Sequence, residues 1–221
     1  ELPIPPTREG YTFTGWYISG MYTKYRSDDT TLTHYYKLGS STSSTSFTGS
    51  SKTIDCAGYS SIVVSKLSDR GTVYITAQYE PNTYTLYYYK ATSNAHVNKI
   101  SAYSYTNTSQ TVTYDDTFTT KTSSIVSAIT GYTFSGWYWT SNSPSGVNSS
   151  LVISSKDWNA NTEYTCNFTN SRYVYAYYTE NSYSISYDLN TPGSKAKTPY
   201  HNTDPLITTA KYSATWEIAN P

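Results

Sequence analysis

The strongest constraint on this chain is a short stretch that occurs twice. Residues 131–139 read GYTFSGWYW, and an almost identical copy, GYTFTGWY, begins at Gly10. Side chains alternate between the two faces of a β-strand, so each copy predicts a strand with aromatic residues on both faces. The expected faces are Tyr132, Phe134, Gly136 and Tyr138 on one side, and Thr133, Ser135, Trp137 and Trp139 on the other. Gly136 is predicted to mark a bulge or the close approach of a neighbouring strand.

The large rings of the two copies are predicted core anchors. An aromatic side chain buries a large apolar area at little cost in rotamer freedom. We therefore expect Phe13, Trp16, Phe134 and Trp137 to be largely buried, on strands that occupy equivalent positions in two similar sheets. No atom in the stretch is a nucleophile or a base of useful pKa, so we interpret it as a structural signature. Its members are Gly10, Tyr11, Phe13, Gly15, Trp16, Gly131, Tyr132, Phe134, Gly136 and Trp137.

A second duplicated stretch indicates a tandem repeat. Residues 74–79 lead into Asn82, and the similar residues 173–178 lead into Asn181. Duplications over a long period are typical of arrays of similar units. The predicted domains are 1–81, the C-terminal half of a repeat with an enlarged body; 82–180, a complete repeat unit; and 181–221, the N-terminal half of a further repeat.

The composition predicts a mainly β protein, α+β with at most short helices. Tyrosine is abundant at 27 residues, and Tyr and Thr favour strands. Only residues 123–129 suggest a helix, of about two turns, capped by Thr122 or Ser123 and ended by Gly131. Another prediction is a hairpin formed by residues 62–67 and 72–76. Fifteen basic residues balance 15 acidic ones, which excludes a charge-driven nucleic-acid partner, and no apolar run is long enough for membrane insertion.

The sequence contains no pattern typical of a catalytic or metal-binding site. His34, His96 and His201 are isolated, and no zinc-binding spacing surrounds them. The adjacent carboxylates Asp28–Asp29 and Asp115–Asp116 favour turns or exposed positions over catalysis or calcium binding. Cys56 and Cys166 are interpreted as buried thiols, with a disulfide as the alternative. We expect no enzymatic activity, no catalytic or metal site and no cofactor.

The motif strands resemble the Listeria–Bacteroides repeat, or internalin B-repeat, of bacterial cell-surface proteins. Residues 6–16, PTREGYTFTGW, are similar to the central segment of that repeat. Thr111–Tyr114 is similar to the strand before it, and Tyr183–Asp188 to the strand that opens the next repeat. The resemblance implies tandem β-grasp-like units and an extracellular or cell-surface location, with the secretion leader outside this chain.

Two functions remain open at this point. The first is a non-enzymatic structural or adhesive repeat protein, tyrosine-rich and extracellular. It would polymerise head to tail into a filament by β-strand complementation between half-repeats of different copies. The rival to that filament is closure within one chain, with residues 207–218 pairing near residues 11–17. The second function is a module that binds carbohydrates or receptors, such as host or cell-surface glycans or proteins, through exposed aromatic residues. The predicted binding face comprises Trp137, Trp139, Tyr175 and Tyr177.

Overall fold

The chain folds almost entirely into β-strands, as the sequence predicts. The computed structural model describes residues 2–19, 33–49, 51–55, 59, 61–65, 74–94, 97–185 and 209–215. Strand accounts for 53% of the structure and helix for 4%, which confirms the mainly β class. The described strands are β1 (Tyr11–Ser19), β2 (Thr33–Leu38), β3 (Thr45–Thr48), β4 (Ser51–Ile54), β5 (Ile62–Ser65), β6 (Tyr74–Pro81), β7 (Thr83–Ala91), β8 (Tyr103–Thr113), β9 (Thr117–Thr119), β10 (Tyr132–Thr140), β11 (Glu163–Thr165), β12 (Arg172–Glu180), β13 (Ser182–Ser184) and β14 (Thr209–Lys211).

The chain divides into two compact units. Unit 1 comprises residues 1–84 with the short segments 113–116 and 165–169. Unit 2 comprises residues 85–112, 117–164 and 170–221. The predicted domain limits at 81 and 180 follow sequence repeats rather than these contacts, and they stay a prediction.

Unit 2 is built on a four-stranded mixed sheet in the order β10-β12-β7-β8. Strands β12 and β7 run parallel at its centre, with Tyr173 opposite Tyr87 and Val174 opposite Tyr88. First and last strands that lie side by side and parallel are the arrangement expected of a β-grasp-like unit. The predicted helix is shorter than expected. Within residues 123–129 only Ser123–Ile125 is helical, as a 3-10 turn capped by the Thr122 side chain, because the β-branched residues beyond it disfavour continuation. A second 3-10 turn lies at Ile100–Ala102.

The duplicated stretches form equivalent strands with the same irregularity. In β1 the register against β6 shifts between Phe13 and Gly15, and in β10 the register against β12 shifts between Phe134 and Gly136. Both glycines adopt positive φ, 148° at Gly15 and 141° at Gly136. The prediction of a bulge at Gly136 is confirmed.

The bulge corrects the predicted face assignment. One extra residue in the strand reverses the alternation that follows it. Phe134 therefore shares a face with Trp137, and their rings meet edge to face with centroids 4.9 Å apart. The equivalent rings of Phe13 and Trp16 meet at 5.4 Å. Trp16 and Trp137 are buried as expected, at 6% and 0% exposure, whereas the two phenylalanines are half-buried.

The described residues of unit 1 form two three-stranded sheets, β4-β1-β6 and β3-β2-β5. Its core combines Trp16, Ile18 and Ile54 from the first sheet with Phe47 from the second. The predicted hairpin between residues 62–67 and 72–76 is not formed in the described residues, because β5 belongs to the sheet β3-β2-β5 and β6 to the sheet β4-β1-β6. The turn expected between them lies outside the described residues.

Two further short strands of unit 2 form a separate two-stranded sheet. Strands β13 and β14 pair antiparallel, with Tyr183 opposite Ala210. The alternative closure within one chain is not seen in the described residues, because Thr209–Lys211 pairs with β13 and not with β1; residues 207–208 and 216–218 lie outside the described residues. Among the described residues, no helix has the length and apolar character needed to cross a bilayer.

Candidate functional site

The four residues of the predicted aromatic binding face do not form one surface. Trp137 lies opposite Ala176 and Trp139 opposite Val174, so both indoles share the face of those two residues. Tyr175 and Tyr177 are on the other face of the same sheet, because successive residues of β12 point in opposite directions. The proposed platform is thus divided between two faces of the sheet.

Neither tryptophan presents a free ring. Trp137 is fully buried, its indole N–H donates to the Lys121 carbonyl at 2.8 Å, and Tyr88 packs on its ring at 4.9 Å. Trp139 is half-buried, with the Arg172 guanidinium 4.2 Å from its ring centre and Trp158 at 5.8 Å. Trp137 is a core residue, and Trp139 is partly covered by its neighbours.

Tyrosines cover the other face of unit 2's sheet. The rings of Tyr87 and Tyr173 stack at 5.4 Å with an angle of 20°, and those of Tyr89 and Tyr175 at 4.9 Å with 25°. Tyr105 packs beside Tyr87 and is 39% exposed. We call Tyr87, Tyr89, Tyr105 and Tyr173 the tyrosine face. Its rings are half-buried to exposed, and Tyr89 and Tyr173 pack against the buried cluster of Ile100, Ile153 and Tyr175. A planar ligand therefore finds an exposed ring on this face mainly at Tyr105.

Burial raises the pKa values of several tyrosines in unit 2. Desolvation raises the pKa of Tyr178 to about 12, and it raises the pKa values of Tyr88, Tyr103 and Tyr175 further. A raised tyrosine pKa keeps the hydroxyl neutral in the folded protein. The Tyr175 hydroxyl is buried and, in the described part of the chain, has no hydrogen-bond partner. None of these groups is poised as a base near neutral pH.

A second site is a contact that we call the glycine–tyrosine junction, present once in each unit. In unit 1, the Asn82 amide donates to the Gly10 carbonyl at 2.8 Å, and the Tyr114 amide donates to the Asn82 carbonyl at 2.9 Å. The Tyr114 ring lies edge-on to Tyr11, with centroids 5.6 Å apart. Only glycine fits at position 10, because a Cβ there would lie 2.3 Å from the Tyr114 ring. Tyr11 also donates to the Asp115 carboxylate at 2.7 Å, which raises the pKa of Tyr11.

Unit 2 repeats this junction with different residues. The Asn181 amide donates to the Gly131 carbonyl at 2.8 Å, and the Tyr212 amide donates to the Asn181 carbonyl at 3.0 Å. Tyr212 lies edge-on to Tyr132 at 5.8 Å. Ser213 donates from its amide and its hydroxyl to Glu180, which lowers the pKa of that carboxylate. The junction therefore fixes the start of each following hairpin on the preceding signature strand.

The third site is the outer edge of β6, the edge that faces away from β1. Among the described residues β6 is the last strand of its sheet, while its equivalent β12 has β7 on that side. Tyr74 and Ile75 of β6 are 63% and 45% exposed. Val174, which corresponds to Ile75, is fully buried. Within the described residues, unit 1 thus shows an unpaired strand edge and exposed apolar side chains where unit 2 has a neighbouring strand.

The reactive groups singled out in the sequence are not assembled. In the described parts of the chain, no three His, Cys, Asp or Glu side chains converge as a metal site would require. Asp115 and Asp116 occupy a turn, with Asp115 at φ 63°. Cys166 is buried, and Cys56, Asp28–Asp29, His96 and His201 lie outside the described residues. An open cavity of 330 Å³ beside β10 is lined by serines, aliphatic residues and the rings of Tyr132, Phe134 and Tyr178. That lining offers no carboxylate, imidazole or amine for catalysis.

Sequence reasoning missed the junction tyrosines and the β6 edge. Tyr114 directly follows the end of β8, and Tyr212 directly follows the end of β14, so an alignment of these two strands indicates the junction. The open edge of β6 cannot be predicted from the local sequence, because residues 74–79 are similar to residues 173–178. Only the order of strands in the two sheets distinguishes β6 from β12.

A comparison with known protein families supports the resemblance for the first copy of the motif. Residues 1–38 match the family model of the Listeria-Bacteroides repeat domain. No curated protein and no solved structure showed a significant match to the chain. The repeat is typical of bacterial surface proteins. The predicted resemblance is confirmed, and residues 1–38 carry a segment of the Listeria–Bacteroides repeat family.

Proposed function

We propose that this chain is a non-enzymatic structural protein of a bacterial cell surface, which assembles head to tail into a filament. The open edge of β6 carries this proposal. An unpaired strand edge presents a row of unsatisfied N–H and C=O groups and is a template for pairing with another chain. Here the edge also exposes Tyr74 and Ile75, whose burial by a further strand would stabilise the contact.

The repeated junction supports a structural role. Gly10, Asn82 and Tyr114 make the same contacts as Gly131, Asn181 and Tyr212. A connection that is copied within one chain can be copied again between chains. Extracellular location is part of the proposal and rests on the repeat family, which is typical of surface proteins.

The direct test is electron microscopy of the purified chain and of a variant that lacks residues 186–221. We expect filaments from the intact chain and no filaments from the truncated chain. Ile75→Lys is a second variant, because a charge on an exposed strand edge opposes edge-to-edge pairing. Ile4→Lys is the matched control, since Ile4 is 92% exposed and lies outside any strand. Filaments that assemble unchanged from both the truncated chain and Ile75→Lys would refute the proposal.

The tyrosine face supports a second candidate function, the binding of a carbohydrate. Stacked and half-exposed rings at Tyr87, Tyr105 and Tyr173 offer the flat apolar surface on which a sugar ring packs. The same rings also form cross-strand pairs that stabilise the sheet, which is the simpler explanation.

A glycan array separates these two explanations of the tyrosine face. If the face binds sugars, Tyr105→Ala loses the signal, because Tyr105 is the most exposed ring of the face. Tyr74→Ala is the control, since Tyr74 is more exposed and lies in unit 1. Absence of any glycan signal from the intact chain, or an equal loss in both variants, would argue against carbohydrate binding.

A further inference from the structure

The tyrosine face brings together phenol rings from three neighbouring strands. Tyr173 lies on β12, Tyr87 and Tyr89 lie on β7, and these strands are followed by β8, which carries Tyr105. Aromatic rings on neighbouring strands stabilise a sheet whether or not they carry a hydroxyl. A phenol differs from a phenyl ring because it gives up one electron and one proton to mild oxidants. Four phenols in mutual contact therefore form a surface with a chemistry of its own.

Tyr105 is the ring of this face that an oxidant in solution meets first. It is 39% exposed, whereas Tyr175, which stacks on Tyr89 at 4.9 Å, is 1% exposed. A phenol releases its hydroxyl proton as the electron leaves, so the hydroxyl needs an acceptor for that proton. The Tyr175 hydroxyl is buried and, among the described residues, has no hydrogen-bond partner. Oxidation is therefore expected at Tyr105 and not at Tyr175.

Tyr89 is the ring of the tyrosine face that lies closer to Tyr105. The ring centres of Tyr89 and Tyr105 are 5.6 Å apart, and those of Tyr87 and Tyr105 are 6.3 Å apart. Burial raises the pKa of Tyr89, and the hydroxyls of three neighbouring tyrosines, Tyr105 among them, raise it further. This electrostatic interaction indicates that the hydroxyl ends of the two rings converge. Phenoxyl radicals couple at the carbons next to the hydroxyl, which lie at this end of each ring.

We propose that Tyr89 and Tyr105 form a modification site, at which a peroxidase joins the two rings into dityrosine. Each phenol loses one electron and its hydroxyl proton, and the two radicals form a bond between their ortho carbons. The hydrogens on those carbons then move to the oxygens, which restores both phenols. Hydrogen peroxide, the oxidant that a peroxidase consumes, takes up the two electrons and two protons and becomes two water molecules.

The new bond joins two neighbouring strands of unit 2 covalently. Strand β7 ends at Ala91 and β8 begins at Tyr103, so the bond closes the connection between them into a loop. A covalent loop restricts the unfolded chain and so stabilises the folded state. The inference does not depend on filament assembly, because both rings belong to unit 2 of a single chain.

Treatment of the intact chain with a haem peroxidase and limiting hydrogen peroxide tests the site. Trypsin cleaves after Lys90 and Lys99, so Tyr89 and Tyr105 fall in different peptides. We expect mass spectrometry of the monomeric chain to find these two peptides joined with the loss of two hydrogen atoms. Tyr89→Phe and Tyr105→Phe should each abolish the product, because phenylalanine keeps the ring but lacks the oxidisable hydroxyl.

Two further variants are controls for the choice of rings. Tyr74 is 63% exposed and lies in the same tryptic peptide as Tyr89, so Tyr74→Phe should keep the product. Tyr87→Phe removes the other neighbour of Tyr105 and should keep it as well. In urea the intact chain should lose most of the product, because the folded sheet brings the two rings together.

Four results would overturn the proposal. The first is the absence of the joined peptides from the folded chain, and the second is their confinement to cross-linked dimers. The third is a product that survives Tyr89→Phe or Tyr105→Phe, or one that Tyr87→Phe or Tyr74→Phe abolishes. The fourth is an equal yield from the folded chain and the chain in urea.

Discussion

Strands β6 and β12 have similar sequences and the same partner register, yet their environments differ. Each pairs antiparallel with a signature strand across the same bulge, and Ala77 lies opposite Trp16 as Ala176 lies opposite Trp137. Strand β12 is central in its sheet, whereas β6 is the last described strand of its own. Ala176 is fully buried, but Ala77 is only half-buried. The comparison teaches that similar sequences occupy two environments, because β12 is paired along both edges while β6 is paired along one edge among the described residues.

Replacing the central tryptophan of each unit gives the largest expected difference. Truncating a buried Trp to Ala costs about 3–5 kcal/mol of the free energy of unfolding. Trp137→Ala should fall at the upper end, because Trp137 also packs against Tyr88 and donates a hydrogen bond to Lys121. Trp16→Ala should cost less, since among the described residues no strand equivalent to β7 covers Trp16 in unit 1. Urea denaturation of both variants checks this. Equal losses would mean that the missing strand contributes nothing to the burial of the core.

Substitution of the two bulge glycines, Gly15 and Gly136, should destabilise the protein by almost equal amounts, because both units contain the same bulge. A Cβ at Gly136 would lie 2.4 Å from the Trp158 carbonyl oxygen, and one at Gly15 would lie 2.4 Å from that of Ile54. With the positive φ added, each Gly→Ala substitution should cost about 2–3 kcal/mol.

Gly146→Ala is the matched control for the bulge variants. The nearest atom to a Cβ at Gly146 is 3.6 Å away, so its effect should stay within about 0.5 kcal/mol. Thermal unfolding of the three variants measures the differences. A tolerated alanine at either bulge would contradict the shared geometry.

Alkaline pH should lower the stability of unit 2 more than that of unit 1. This is the smallest of the expected effects. The pKa of Tyr178 rises from the ordinary 10.0 to about 12 through burial. Below about pH 10 the hydroxyl is neutral in both states, so the full stability is present. Between pH 10 and 12 the unfolded chain loses this proton first, so stability falls as pH rises.

Tyr178→Phe provides the control for that pH dependence. The hydroxyl of Tyr178 donates only a long hydrogen bond, 3.3 Å, to the Ser127 carbonyl, so the variant should fold. Its unfolding free energy should decline less steeply between pH 10 and 12, as followed by tyrosinate absorbance and denaturation. A decline of unchanged slope would show that Tyr178 does not titrate as its burial requires.

The sequence was informative where duplication and local chemistry act together. Two copies of one motif predicted two equivalent strands, and Gly136 predicted the bulge because glycine alone tolerates that backbone beside a carbonyl. The same reasoning placed Phe134 and Trp137 on opposite faces, since period-two alternation ignores the extra residue that a bulge inserts. The predicted aromatic face is divided between two sides of the sheet because of the register between β10 and β12. That register cannot be read from the sequence of either strand alone. The residues concerned are Trp137, Trp139, Tyr175 and Tyr177.

Hydrogen exchange at β6 and β12 tests the central claim, that the outer edge of β6 is open and accepts a strand. In dilute solution, alternate amides of residues 74–76 should exchange rapidly, while the equivalent amides of residues 173–175 remain protected by β7. At concentrations that give filaments, the β6 amides should become protected as well. Strong protection of residues 74–76 in the dilute monomer, unchanged by concentration, would contradict the account.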